Sequence, residues 1–370
     1  MTTIKAMHFL EIEMMIEVNF GGNMSEKMKV VAITGAKKPE ILEVDRPVPG
    51  PDQVLVKIDG TAICTWEQRV YATGKFKMPF LGGHEVVGHV VEMGSKVRTK
   101  EFKVGDRVAV SVINTCGTCY YCRRGEENLC VDSYANLSED LGMYGPGGFA
   151  EYKVVPPSKL WKLNDDIPWE YGTFSEPLAC VCNSVKKTDI KLGDDVVVIG
   201  GGIMGMFHMM VAKLQGARVI MSEIDENRRK LAMELGCDIT FSPKEHDAVA
   251  YVKELTEGRG ADVVFDTTVL PAVAAQAIDM AGKMGRVVMY SSVIPADPIP
   301  LDANALHGSE KVITGSVSPS IQSFDTAVRL LNKGLINPAK LLHGVFEKED
   351  AVEAFETSIR PDTYRVIIKL

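Results

Sequence analysis

The sequence predicts an α/β protein in which a doubly wound parallel sheet is joined to a mostly β region. Three observations predict it. A strand, a glycine turn and a helical pattern follow one another at Asp195–Leu214. Strand and helix patterns then alternate as far as Gly315, and short strands separated by Gly, Pro and charged turns fill Met28 to about Leu163. At 370 residues the chain is long for one core and suits two domains. The boundaries are read as an N-terminal extension at 1–27, a first domain at 28–177, a second at 178–318 and a return to the first at 319–370.

The extension is rich in Met, and Met28-Lys29-Val30-Val31-Ala32-Ile33 reads as a fresh opening strand. An added edge strand, an oligomer contact and a misplaced start codon all stay open for residues 1–27. In Gln53–Asp59, Val54, Val56 and Ile58 alternate with Leu55, Lys57 and Asp59. Further strands are expected at Glu85–Met93, Asp106–Val112 and Phe149–Val155, a spacing that fits a small barrel or sandwich. This region also carries His84 and a run of cysteines, so packing is not its only role.

In the second region Val196–Ile199 forms the first strand, and Gly200, Gly202 and Gly205 fit G-x-G-x-x-G. Ile203, Phe207, Met210, Val211 and Leu214 then recur at helical spacing. The first glycine allows the tight turn, the second lets backbone approach a pyrophosphate, and the third lets helix and strand pack closely. Gly200, Gly202, Ile203, Met204 and Gly205 are therefore the expected cofactor contacts, where the helix N-terminus presents free N–H groups and a positive dipole to phosphates. Eighteen residues after Gly205, Glu223 ends the next apolar run, near the spacing of an acid that holds the ribose hydroxyls of NAD. It would repel a 2′-phosphate and favour NAD over NADP; Arg228 and Arg229 nearby are the features that keep NADP in view. Further strands are expected at Arg218–Met221, Asp238–Phe241, Asp262–Asp266, Arg286–Tyr290 and Lys311–Gly315. Helices such as Glu226–Leu235 and Pro271–Met280 lie between the first five. Helical patterns at Phe324–Lys333 and Glu349–Thr357 and a strand at Arg365–Lys369 close the chain. That tail has no core of its own, so it is expected to rejoin the β region and leave a cleft between two domains.

A net charge of −8 argues against a nucleic-acid or polybasic membrane role. Val196–Ala212 lacks charged side chains, but its four glycines and His208 fit the strand and helix better than a membrane span. Glu11, Glu13 and Glu17 leave no basic region ahead of an apolar one, so no signal peptide is evident and the expected compartment is the cytoplasm. There the eight cysteines read as ligands or buried thiols.

Two constellations could hold metal. Cys116-x2-Cys119-x2-Cys122-x7-Cys130 can wrap a tetrahedral zinc closed to substrate. Disulfides suit the compartment badly, and an iron–sulfur run would close after three residues with a following proline, whereas seven intervene here. The second constellation is discontinuous: Cys64, then Gly82-Gly83-His84-Glu85-Val86-Val87-Gly88, then Ser175-Glu176-Pro177-Leu178-Ala179-Cys180. Thiolate, imidazole and carboxylate suit a zinc that keeps a position open. Taken singly, Cys64 reads as a small buried residue and His84-Glu85 as a surface pair.

With Gly148-Phe149-Ala150-Glu151-Tyr152 in its place as well, these motifs, in this order from about Met28 to Leu370, resemble the zinc-dependent medium-chain dehydrogenase/reductase family. The resemblance implies a GroES-like β-barrel catalytic domain with a zinc lobe at 116–130, a Rossmann cofactor domain, NAD or NADP, and a homodimer or homotetramer. Glu85 and the Glu176-Pro177-Leu178 step are similar to the sorbitol (polyol) dehydrogenase branch, which puts Glu176 near the metal. Cys180 falls where other members carry a thiolate ligand; Glu176 is favoured because its carboxylate can ligate while Glu85 exchanges with substrate. Members usually follow the first cysteine with a Gly-Ser-Asp or Gly-Thr-Asp step whose hydroxyl begins a proton relay. Here Thr65, Trp66, Glu67, Gln68 and Arg69 stand instead, and an indole N–H donates but cannot pass a proton on. The departure leaves three routes open: an unusual substrate, a water relay through Glu67, or Arg69 as a binder of acidic groups. The plainer reading is that Trp66 walls the pocket.

The sequence-level conclusion is a dehydrogenase with two zincs per chain, moving a hydride between a secondary alcohol or polyol and NAD. Cys64, His84, Glu85 and Glu176 are the expected cleft set, and Glu67 is expected to orient one of them. Cys116, Cys119, Cys122 and Cys130 are the expected structural set. Threonine, butanediol and simple alcohols are the rival substrates, and a non-catalytic cofactor sensor on the same fold is the rival from another class.

Overall fold

In the computed structural model, the described residues are 26–112, 114–133, 137–138 and 141–370; all but the last two residues of the extension lie outside them. The opening strand β1 (Lys27–Gly35) pairs antiparallel with β2 (Lys38–Asp45). There follow β3 (Val54–Ala62), α1 (Thr65–Thr73), β4 (Glu85–Met93), β5 (Arg107–Val110), the short pair β6 (Leu137–Ser138) and β7 (Met143–Tyr144), β8 (Tyr152–Val155) and β9 (Leu160–Lys162). The helix α2 (Ser175–Lys186) leads into β10 (Asp195–Ile199), α3 (Ile203–Leu214), β11 (Arg218–Ser222), α4 (Glu226–Glu234), β12 (Ile239–Phe241) and α5 (Ala248–Leu255). Next come β13 (Ala261–Asp266), α6 (Pro271–Met280), β14 (Ala281–Met289), α7 (Ala303–Ser309) and β15 (Val312–Gly315). The chain ends with α8 (Ile321–Asn332), β16 (Leu342–Glu347), α9 (Ala351–Ser358) and β17 (Arg365–Lys369).

The six strands β10–β15 form one sheet in the order β12-β11-β10-β13-β14-β15, every pair parallel. The order reverses between β10 and β13, and that switch point is where open α/β sheets bind ligands. The all-apolar run Val196–Ile199 is buried because helices cover both faces of a parallel sheet. A second, seven-stranded sheet runs β16-β17-β3-β4-β5-β9, with β8 also on β3. Its β3 pairs antiparallel with β17 through Ile367 and Ala62, which draws the end of the chain beside the segment leading to Cys64.

Several local features differ from the pattern reading. The helices α1 and α2 arise where only strands and motif residues were expected, and α2 runs unbroken through positions 177 and 178. It carries small and polar residues nearly all round (Ser175, Ala179, Cys180, Asn183, Ser184) and is buried from Ser175 to Val185, so no amphipathic stripe marks it. The helix α8 buries Phe324, Ala327, Val328 and Leu331 in the core that also holds Val196, Val198 and α2. Residues 321–341 thus pack with the parallel sheet, and the chain rejoins the seven-stranded one at β16, which runs parallel to β17. Among the described residues no helix is long and apolar enough to cross a membrane.

Candidate active site

Local chemistry first places the cleft residues. Cys64 stands at the N-cap of α1, in extended backbone just beyond β3. His84 and Glu85 open β4 after the Gly82-Gly83 turn. Gly83 has φ +89°, and a Cβ there would lie 2.6 Å from the backbone nitrogen of Phe149, so the turn tolerates no side chain. Glu176 lies in the first turn of α2, where an acid complements the helix dipole.

Folding brings ligand atoms of Cys64, His84 and Glu85 to within 4.8 Å of one another. Glu176 falls outside that tightest group, yet it lies close enough for the charges of His84 and Glu85 to act on it. His84 and Glu85 are each held by a second residue. The Glu67 carboxylate is fully buried; its Oε1 accepts from the Gly83 N–H at 3.0 Å and lies 2.7 Å from His84 Nδ1. That contact fixes the ring and leaves Nε2 for a ligand. Glu85 accepts from Arg365 at both oxygens, from Nε at 2.8 Å and from the terminal nitrogen at 2.5 Å. Both side chains are buried, and breaking such a pair by removing one partner costs about 3–5 kcal/mol.

Electrostatics tell donors from non-donors. Burial opposes the charged form of His84, but Glu67 and Cys64 outweigh it and hold its pKa well above the usual value. A set that draws in a positive charge this strongly is chemically suited to a divalent cation, and its thiol, imidazole and carboxylate are zinc donors. Burial raises the pKa of Cys180 far above that of a free thiol, and neighbouring Glu176 adds to it. The Cys180 thiol therefore keeps its proton and donates it to Glu176 Oε1 at 3.2 Å.

Trp66 lies beside this set, its ring centroid 5.8 Å from that of His84 and edge-on to Phe76 and Phe80 at 5.8 and 5.3 Å. The indole is packed as a wall. Thr65 and Arg69 are exposed on the same helix.

The glycine turn lies at the C-terminal end of β10. Gly200 has φ +97°, and a Cβ on Gly205 would stand 1.8 Å from the Gly200 carbonyl oxygen. A Cβ on Gly202 would meet only Arg228, at 3.9 Å, and no side chain caps α3. Its first N–H groups thus face an open cradle, which fits a pyrophosphate. Buried Glu223 accepts from the Gly201 N–H at 2.5 Å and from the Asp225 N–H at 2.8 Å. The Arg228 guanidinium donates to the Pro361 carbonyl at 2.6 Å and lies over the Tyr364 ring, and Arg229 donates to the Glu223 carbonyl at 2.9 Å.

The four thiols of Cys116, Cys119, Cys122 and Cys130 also come within 4.8 Å of one another. Backbone N–H groups of Cys116, Cys119, Cys122 and Asp132 point at sulfurs 3.2–3.5 Å away, the pattern that stabilises thiolates. Backbone donors hold Cys119 down to about 6. The lobe docks on the 317–321 segment through Asn128, whose amide donates to the Val317 carbonyl at 3.0 Å.

Sequence reasoning missed Arg365, Tyr364 and His208 as parts of this region. A lone cation inside the apolar run Arg365-Val366-Ile367-Ile368 was the available signal for the first. Tyr364 carries none, because its partner Gly201 is 163 residues away, and His208 shows only as a lone imidazole in an uncharged run.

Residues 50–165 match the family model of the alcohol dehydrogenase GroES-like domain, and residues 204–333 that of the zinc-binding dehydrogenase. The L-threonine 3-dehydrogenase of Pyrococcus abyssi is 36% identical over 361 residues, covering 94% of this chain and 100% of that protein. The sorbitol dehydrogenase of Halalkalibacterium halodurans is 34% identical, covering 82% of this chain and 87% of its own. A zinc-binding dehydrogenase from Sinorhizobium meliloti, crystallised with NADP, superposes with a TM-score of 0.84 at 27% identity, covering 94% of this chain and 100% of its own. The chain belongs to the zinc-dependent medium-chain dehydrogenase family, with a GroES-like domain and a Rossmann-type cofactor domain.

Proposed function

We propose, with that membership as premise, that the protein is an NAD-dependent dehydrogenase of a secondary alcohol or polyol, with one zinc in the cleft and one in the lobe. The convergence of Cys64, His84 and Glu85 supports the reading above all, because two separate chain segments bring a thiol to an adjacent imidazole and carboxylate. When bound, the cation supplies Lewis acidity toward the substrate oxygen and the dinucleotide supplies the hydride acceptor.

The chain's own residues do the rest. Cys64, His84 and Glu85 would hold the cation, with Glu176 nearby accepting from the Cys180 thiol. Glu67 keeps His84 in one tautomer and ring orientation. Being fully buried, with Oε1 engaged by Gly83 and His84, Glu67 is better suited to that support than to passing protons to solvent. Trp66, with no acceptor, walls the site and excludes water from that side. Glu223, buried and directed at the turn, disfavours a 2′-phosphate. Arg228, pinned to Pro361, is not free to bind one.

L-Threonine is the second substrate reading, favoured by the identity to the Pyrococcus enzyme along the whole matched length. A panel of polyols, inositols, L-threonine, 2,3-butanediol and short alcohols, each with NAD and NADP, tests both readings. Dinucleotide reduction by a panel member, lost in Cys64→Ala, is the expected result. A zinc-replete chain that neither turns over any member nor binds either dinucleotide would sink the proposal.

A further inference from the structure

We infer that Tyr364 is a positioning residue that holds the glycine turn in register with the metal-site strand. The inference rests on the dehydrogenase reading. The segment from Pro361 to Val366 is in contact with both halves of the cleft at once. Toward the parallel sheet, the Tyr364 hydroxyl donates to the Gly201 carbonyl at 3.3 Å. Its ring lies under the Arg228 guanidinium at 5.6 Å, and Arg228 closes the contact by donating to the Pro361 carbonyl. Toward the metal set, Arg365 holds both oxygens of Glu85, and the Val366 carbonyl accepts from the Ile63 N–H at 2.9 Å, one residue before Cys64.

Gly201 is consequently held at both of its backbone groups, the N–H by Glu223 and the carbonyl by Tyr364. Held there, the turn meets a pyrophosphate with its N–H groups already aimed, so less ordering remains to be done on binding. The tether also sets the distance between turn and cation site. A dinucleotide seated on the one can bring its reactive ring to the other only if that spacing is kept. Tyr364 therefore needs its hydroxyl and not only its ring.

The test is Tyr364→Phe in the zinc-loaded full chain, with binding as its main readout. NAD affinity is measured by titration calorimetry, and amide hydrogen exchange across residues 200–205 is followed without cofactor. Losing one hydrogen bond to the turn should weaken NAD about three- to tenfold and quicken exchange at the turn, with zinc content and thermal midpoint unchanged. A merely structural role would move the midpoint and leave turn exchange in step with the rest of the chain. Equal affinity and equal turn exchange in the two proteins would overturn the inference. If the unmodified chain binds neither dinucleotide, the dehydrogenase reading has failed instead, which the calorimetry of the parent protein reveals separately.

Discussion

The 116–130 lobe draws its four sulfurs from a single loop, and only Cys130 is buried. The cleft takes Cys64 from the start of α1, His84 and Glu85 from the mouth of β4, and Glu176 from α2. In the lobe the supporting donors are backbone N–H groups of the loop itself. In the cleft they are side chains from far away in the chain: Glu67 for His84 and Arg365 for Glu85. A loop that closes on a cation can orient its own ligands and leave no room for another. A site meant to exchange a ligand needs its donors held by something other than the metal, and this requires a folded scaffold around it.

The largest way to break the comparison is a pair of cysteine replacements. Cys64→Ala should lower kcat/KM by about 10³-fold or more, because it removes a donor at the reacting centre, while the thermal midpoint stays close to that of the parent. Cys119→Ala should do the opposite. It should release the lobe zinc and lower the midpoint by about 5 °C or more, with proteolysis starting inside 114–133, and leave much of the activity of the folded fraction. Zinc analysis, calorimetric scans and steady-state rates check both, and reversed phenotypes would exchange the two roles.

A second prediction concerns the scaffold beneath the cleft. His208 is buried on α3, with Nδ1 2.8 Å from the Met204 carbonyl and Nε2 2.8 Å from the Ser184 hydroxyl on α2. Burial lowers its pKa to about 4. Between pH 6.5 and about 4 the unfolded chain takes up a proton that the folded one refuses, so stability falls as pH falls across that window. The loss is about 3 kcal/mol when complete, and none of it is felt above pH 7. Urea midpoints measured at pH 7 and pH 4.5 should therefore converge in His208→Gln. An unchanged pH slope in that variant would assign the effect elsewhere.

The smallest expected effect sharpens the contrast between local and distant support. Glu67→Gln keeps the shape but removes the anionic partner of His84, and should weaken cleft-zinc retention or activity about 10- to 100-fold. Lobe zinc should be retained in full, since the lobe orients its own ligands. Competition with a chromophoric chelator resolves the two metals, and equal loss from both would show that the sites are not independent.

How much was legible follows the same division. The four-cysteine lobe, the strand and glycine turn at Asp195–Gly205 and the acid at Glu223 are short-range patterns, and each could be read because its chemistry lies within a few residues or one supersecondary unit. Pattern also sufficed for the parallel strands, where apolar runs and helical spacing alternate. The helix α2 escaped because it is buried on nearly every side, and α1 because its short buried face, Glu67, Val70 and Tyr71, includes a carboxylate. The placement of α8 escaped because an apolar face says that it will be buried but not against what.

By itself, then, the sequence determined the inventory: two groups of side chains whose chemistry suits a metal, a glycine turn opening a helix, an α/β order of elements, and a tryptophan where a hydroxyl is usual. Tertiary structure alone decided the roles within the cleft. It put Cys180 on Glu176 as a hydrogen-bond donor, set Arg365 on Glu85 across 280 residues, and carried Tyr364 to the carbonyl of Gly201. The physical reason is that ligand identity is a property of side-chain chemistry. Which charge is paired, which thiol keeps its proton and which carboxylate is left for a cation depend on burial and on neighbours that only the folded chain brings together.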